Sequence, residues 1–436
     1  MTVTDDLTAV ESLDDFSQRV RQWAEATLDP IGETERLTAH VVALGLDPRD
    51  QLSRGRALLR LMDEADLSGL VYPKEYGGQG LTAEYLKAFN TAVSGYDVSG
   101  LGPWILTLGM NAPTMLEYGT DEQKRTYLPR MFRGEDLWIQ FLSEPTGGSD
   151  LASALTRADR DGDEWILNGS KIWTSSADRA DWGMCLARTN WDVPKHRGLS
   201  VFLVPMRSPG LEIRPLKMIS GQTGFCQEFF DDVRLPADAL LGELHNGWAV
   251  ASRLLVHERN VLNGGSEHWV PPAGGFAAAP TATDSRRRDD LVELAARSGQ
   301  ASDPHVRQLV AEAYVNSKVA GQTGPRIVTA MRKGLTPPAA SSILKLINSV
   351  NGIRRSDITL EISDPSVVAW HPGDADAEAR GVGYLSRQTV ALVSGTSEIQ
   401  RNIIGERVLA LPRESAPDRE LPFSDVRHNT MPTAGR

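Results

Sequence analysis

Four short runs in this chain place chemistry-bearing residue types close together. The first is Gln140-Phe141-Leu142-Ser143-Glu144-Pro145-Thr146-Gly147-Gly148-Ser149-Asp150. Its Gly-Gly-Ser turn lets backbone approach a ligand and offers N–H groups to an anion. Taken alone, a structural turn is the plainer reading. The second is Lys171-Ile172-Trp173-Thr174-Ser175-Ser176. A tryptophan followed by two hydroxyl residues offers a flat apolar face with hydrogen-bond donors beside it, the two things a flavin ring needs. The third, Leu255-Val256-His257-Glu258-Arg259, continues a helical pattern through Trp248, Ala251 and Leu254. On pattern alone, Glu258 and Arg259 read as a solvated charge pair, as most helical charges are. The fourth, Val393-Ser394-Gly395-Thr396-Ser397-Glu398-Ile399-Gln400-Arg401, sets a serine before Gly-Thr. A serine hydroxyl cannot act as the base for a carbon acid near neutral pH.

The elements that position these runs fall into blocks. Up to about residue 134 the pattern is helical, with Leu13, Phe16, Val20 and Trp23 at helix spacing and further helices over 82–98 and 105–118. Thr120 with Gln123 forms a capping box ahead of another. Residues 138–244 carry short alternating or β-branched runs between Gly, Pro, Asp and Asn, as in Leu199-Ser200-Val201-Phe202-Leu203-Val204-Pro205. Helices return over 248–262, 289–297, 306–332, 341–351 and through 403–411. Segregated blocks predict an α+β multidomain chain. Its N-terminal all-helical domain is placed at 1–136, a middle antiparallel β-barrel or sandwich domain at 137–245, a C-terminal helical bundle at 246–412 and a tail at 413–436. Residues 270–288 and 412–436, rich in Pro and small or polar residues, read as loop or disorder.

Bulk properties exclude several classes of function. The 436 residues are 41% hydrophobic and 24% charged, an ordinary globular composition. The net charge of -11 disfavours non-specific nucleic-acid binding, which needs clustered Lys and Arg. Only Cys185 and Cys226 occur, so no disulfide framework is expected, and no Cys/His cluster has zinc spacing. The N-terminus is unlike a signal peptide and no stretch is apolar enough to span a membrane. The chain reads as soluble and cytoplasmic, without a metal.

Taken together, the first two runs closely resemble the acyl-CoA dehydrogenase family. Its usual pattern is Ser/Thr-Glu-Pro-Gly-x-Gly-Ser-Asp followed by Trp-Ile-Thr or Trp-Thr-Ser. The resemblance extends through Pro194-Lys195-His196-Arg197-Gly198, Phe229-Phe230-Asp231-Asp232-Val233-Arg234-Leu235-Pro236 and Glu406-Arg407-Val408-Leu409. It implies FAD held between the β domain and the last bundle. Gln140, Leu142, Ser143, Gly148 and Ser149 would line the flavin. Trp173, Thr174 and Ser175 would sit over its dimethylbenzene-to-N5 side, with Thr396 and Glu398 toward the adenosine half. The family's Arg-x-x-Phe-Gly and Gln-x-x-Gly-Gly-x-Gly motifs, which hold the FAD pyrophosphate across a subunit interface, are absent. Residues 270–288 and 346–354 occupy their regions.

The fourth run resembles the segment that carries the family's usual catalytic glutamate, with Ser394 in place of that glutamate. The resemblance then implies Glu258 as base, at the position used by a minority of members, with Arg259 holding the pocket. Ser149, Val256, Arg259, Ser394 and Gly395 would meet the substrate. His257 is expected on the helix surface or behind the site. Truncating Ser394 is expected to cost little beyond pocket shape. The expected reaction is desaturation of an acyl thioester, on CoA or a carrier, to the α,β-enoyl product. A base takes the α-proton while the β-hydrogen leaves as hydride to flavin N5. Electrons would pass to an electron-transfer flavoprotein or similar acceptor. The expected assembly is a homodimer or homotetramer, with a heteromer also open. The alternatives are a flavin monooxygenase or oxidase on the same fold, and a partner subunit of a heteromeric dehydrogenase.

Overall fold

The computed structural model describes residues 11–33, 35–47, 49–262, 266–269, 287–371 and 373–427. The helical N-terminal domain comprises α1 (Leu13–Thr27), α2 (Glu35–Ala43), α3 (Gln51–Glu64), α4 (Ala83–Ala92), α5 (Ala112–Tyr118) and α6 (Asp121–Phe132). Phe16, Val20 and Ala24 give α1 one buried stripe, and Ser12 caps its first turn by accepting from the Asp15 N–H at 3.2 Å. Thr120 and Gln123 close the capping box predicted for α6. Within the expected 105–118 helix, the turn Thr107–Asn111 widens to π geometry. Asn111 and Thr107 both bond the backbone of Trp138, tying this turn to the first strand.

The middle domain is one eight-stranded sheet. Its strands are β1 (Trp138–Phe141), β2 (Arg157–Asp161), β3 (Glu164–Ser175), β4 (Trp182–Arg188), β5 (Leu199–Pro205), β6 (Leu211–Leu216), β7 (Phe225–Pro236) and β8 (Leu240–Leu241). They run in the order β6-β7-β3-β2-β4-β5-β8, with β1 added beside β4. Most pairings are antiparallel, but β1 and β2 both lie parallel to β4. A loop rather than a hairpin leaves β1, so nothing forces that strand to reverse against its neighbour. Ile139, Phe141, Leu167, Cys185, Phe202 and Val204 form a core separate from the helical one. Cys185 and Cys226 are both buried free thiols.

The C-terminal domain contains α7 (Gly247–Leu262), α8 (Arg287–Arg297), α9 (Pro304–Arg332), α10 (Ser341–Glu361), α11 (Ala375–Ser386), α12 (Thr389–Leu392) and α13 (Ser397–Ile403). α10 runs ten residues beyond the expected end at 351, because Ile358 and Ile362 pack into the small core around Leu309 and Ala313. The last helix starts earlier than expected, at a Thr396 cap, and passes into π geometry over Ile404–Val408. Beyond Ala320, no residue of α9 is fully buried. Among the described residues no helix is long and apolar enough to cross a membrane.

Of the two stretches expected to lack order, residues 270–286 lie outside the described residues. The tail departs from that expectation. Phe423 is fully buried, with the Arg188 guanidinium 3.5 Å from its ring centroid and Trp191 at 5.5 Å. The N–H groups of Phe423 and Ser424 donate to the carbonyls of Val193 and Trp191 at 2.9 Å. Composition hides this because one aromatic anchor and two backbone bonds suffice to dock a polar segment. Phe423→Ala should release the tail, since emptying a buried aromatic site costs about 3–5 kcal/mol. Limited trypsin digestion should then cut at Arg413 and Arg419 faster than in the parent chain, with a lower thermal midpoint.

Candidate active site

The two motifs meet at a buried ion pair. Lys171, on β3, follows Trp165 and Leu167 along the strand's inward series and is fully buried. Its Nζ donates to Glu144 Oε1 at 2.8 Å and to the Leu142 carbonyl at 3.0 Å. Glu144 also accepts from the N–H groups of Leu155 and Thr156, at 2.6 and 2.8 Å. Burial would raise the Glu144 carboxyl, but Lys171 and these amides outweigh it and hold the group below its ordinary value. The Ile172 N–H donates to the Ser143 carbonyl at 2.9 Å, which places the 142–149 turn against β3.

At this junction β3 bulges between Ile172 and Thr174. Trp173 takes a left-handed φ of 69° and leaves its indole 54% exposed, edge-on to Phe225. Thr174 points the other way. Its hydroxyl is buried and donates to Glu228 Oε2 at 2.9 Å. The expectation that Trp173, Thr174 and Ser175 share one face is therefore corrected: strand alternation leaves Trp173 open and turns Thr174 inward. Glu228 sits on the inward series of β7 with Cys226 and Phe230, and burial pushes its carboxyl up to about 8. Gln140 and Glu228 each keep one buried oxygen without a hydrogen-bond partner among the described residues. Ser149 is exposed at the turn, and nothing crowds Gly148 closer than Ser143 Oγ at 3.6 Å.

The α7 helix joins all three domains. A Cβ at its first residue, Gly247, would fall 2.5 Å from the Ser200 backbone, so only glycine lets the helix seat so close to β5. Trp248 packs on His196 of the middle domain. One face meets α5, where Arg253 grips Glu117 with bonds of 2.7–3.0 Å and His257 Nε2 lies 3.1 Å from the same carboxylate. His257 is 4% exposed, which corrects the surface expectation; burial lowers its pKa to about 4, so it stays neutral at physiological pH. The next residue, Glu258, faces the C-terminal bundle and is half-buried. Ser394 Oγ donates to Glu258 Oε1. Burial raises the Glu258 carboxyl above its ordinary value, opposed by Ser394, Arg259 and Lys345. Val256 is half-buried beside it, and burial lowers the Arg259 pKa.

Ser394 itself has φ 58° and Gly395 φ 87°. A left-handed serine costs on the order of 1 kcal/mol, and the surroundings enforce it. Gln400 Nε2 donates to both carbonyls of this turn at 3.2 Å, and Thr396 caps α13 through the Ile399 N–H. On α10, Lys345 Nζ donates to the Val390 carbonyl at 2.5 Å. Glu398 is exposed beside Arg401 at 3.5 Å. The hydrogen bonds of Thr396 and Glu398 lie within the first turn of α13.

Models of acyl-CoA dehydrogenase N-terminal, middle and C-terminal domains match residues 11–135, 140–233 and 286–409. The acyl-CoA dehydrogenase IpdE1 of Mycobacterium tuberculosis is 33% identical over 412 residues, covering 93% of this chain and all of that one. The chain belongs to the acyl-CoA dehydrogenase family. IpdE1 of Mycolicibacterium smegmatis is 32% identical over 92% of this chain and 98% of its own. The solved Tcur3481-Tcur3483 steroid ACAD superposes with a TM-score of 0.68 at 27% identity, over 94% of this chain and all of that one.

Acyl-CoA dehydrogenases are FAD-dependent flavoproteins that oxidise CH–CH bonds. The residues present fit a flavin ring: an uncovered indole on a bulge, an open Gly148-Ser149 turn and a buried Gln140 oxygen awaiting a partner. Sequence reading of this acyl-CoA dehydrogenase missed Lys171, Glu228 and Lys345. A signal existed for the first two, since each occupies an inward position in strand alternation where an apolar residue is the rule. Lys171→Met should leave Glu144 as an unpaired buried charge and cost about 3–5 kcal/mol. Thermal unfolding should show a large loss that Lys171→Met with Glu144→Gln partly restores. Because the Glu144 carboxyl titrates below its ordinary value, its contribution in the parent chain is full above that ordinary value. It is lost as pH falls through the folded one.

Proposed function

We propose that this chain oxidises an acyl-CoA thioester across its α and β carbons with Glu258 as the α-proton acceptor. The position of Glu258 carries the reading. It is a half-buried carboxylate, raised above its ordinary value by burial, at the point where α7 meets the Ser394 turn. Such a carboxylate is a stronger base than an exposed one, while Ser394 and two nearby cations favour its ionised form. FAD, when bound, supplies the acceptor for the β-hydrogen. Trp173 would cover one side of the ring, with Gln140, Leu142, Ser143, Gly148, Ser149 and Ser175 around it. Val256, Arg259 and Gly395 would border the thioester. Electrons would pass on to an external acceptor of the electron-transfer flavoprotein kind.

The acyl group that this reading favours is bulky and polycyclic. The support is the 27%-identical structure named as a steroid ACAD. The functional unit is an assembly, either of copies of this chain or with a related partner. Its support is the apolar surface of the bundle, where Val315, Val319, Leu335, Val368, Leu392 and Leu409 are each more than half exposed. The missing pyrophosphate motifs support a partner that completes the FAD site.

Anaerobic bleaching of the flavin by a panel of straight-chain and steroid-derived acyl-CoA thioesters tests the reaction. Glu258→Gln should lower the bleaching rate by about 10²–10⁴ while FAD stays bound. In the parent enzyme the rate should climb with pH through a value above the ordinary carboxylate range, since the base must be ionised. Unchanged bleaching in Glu258→Gln would place the base elsewhere. Light scattering should show a dimer or tetramer, and a monomer that holds FAD tightly would contradict the assembly.

A further inference from the structure

Ser394 stands where a carboxylate would be expected and is not itself a base, yet the fold spends several interactions on placing it. Its backbone is left-handed, a conformation unusual for any residue but glycine, asparagine and aspartate. Gln400, itself 1% exposed, locks that turn through the carbonyls of Ser394 and Gly395. From the other side, Lys345 and Ser349 of α10 both donate to the Val390 carbonyl, at 2.5 and 3.0 Å, and pin the segment that leads into the turn. The product of this bracing is one side-chain contact, from Ser394 Oγ to Glu258 Oε1 across the α7–bundle junction.

We propose that Ser394 is the positioning residue for the Glu258 carboxylate. Its hydroxyl engages one carboxylate oxygen and fixes the rotamer in which the other is presented for proton transfer. This rests on the reading of Glu258 as the base. A glutamate side chain has three rotatable bonds, and on α7 the backbone alone does not choose among their rotamers. One anchored oxygen removes that freedom before substrate arrives, which is how orientation contributes to rate.

The same contact sets the proton affinity of the base. A hydrogen bond donated to the ionised form favours ionisation, and burial opposes it. The groups facing Glu258 are its α7 neighbour Arg259, Lys345 from α10 and Ser394 from the turn before α13; Arg407 acts on Arg259 in turn. Of these, Ser394 makes the direct bond to the carboxylate, and Lys345 is held by Val390 and Ser349.

Ser394→Ala and Ser394→Gly both remove the hydroxyl, but glycine also removes the backbone strain. The full-length FAD-loaded enzyme is followed by infrared spectroscopy, using the carbonyl band of protonated Glu258, identified by its loss in Glu258→Gln. In both Ser394 variants the pH midpoint of this band should move upward, corresponding to a roughly tenfold or greater fall in the ionisation constant. No substrate is needed, so the result stands apart from whether thioester bleaching depends on Glu258. With a thioester that bleaches the parent enzyme, the pH profile of the reduction rate should move up by the same amount while FAD affinity stays unchanged. An unmoved midpoint in both variants would overturn the proposal. So would a glycine variant with the parent's midpoint beside a shifted alanine variant, because strain rather than the hydroxyl would then be the cause.

Discussion

The Lys171–Glu144 ion pair is the constraint on which the junction of the Gly-Gly-Ser turn with β3 depends. It lies at zero exposure for the lysine, within a sheet whose inward positions are mostly apolar. Two buried charges would be costly unless each were matched, and here both are, by each other, a carbonyl and two amides. The pair ties the Gly-Gly-Ser turn to the strand that carries Trp173. The strand that carries the indole and the turn are thereby joined, although they come from separate stretches of chain.

Glu258 is held by a different device. Glu258 rides on α7, which is anchored at Gly247 on the sheet and at Arg253 and His257 on the helical domain. From the bundle, the Ser394 hydroxyl donates to its carboxylate. His257 and Glu258, neighbours in sequence, face different domains because successive helical residues are turned by about 100°. Their charge states diverge accordingly: one histidine kept neutral by burial, one carboxyl raised by burial and restrained by neighbouring cations.

The bundle is the least self-sufficient part of the molecule. Its core is small, α9 has no buried residue beyond Ala320, and apolar side chains stand on its surface. The sheet, by contrast, closes around large side chains such as Phe141, Trp165 and Phe202, and even receives the tail through Phe423. This difference fits a bundle whose remaining apolar surface is covered in an assembly.

By itself the sequence determined the three-block architecture, because hydrophobic period distinguishes helix from strand over long stretches. The capping box at Thr120 was equally local and equally legible. The runs around Ser143 and Trp173, and Glu258, were legible as candidates through motif resemblance. Tertiary structure alone decided that Thr174 meets Glu228, because the bulge at 172–174 shifts the register of β3 against β7. It decided that Lys171 and Glu144, 27 positions apart, share a charge pair, and that β1 and β2 run parallel to β4. It also decided that Ser394 donates to Glu258. The 136 positions that separate this serine from Glu258 leave no periodicity to read, and a hydroxyl becomes informative only when the fold brings a carboxylate to it.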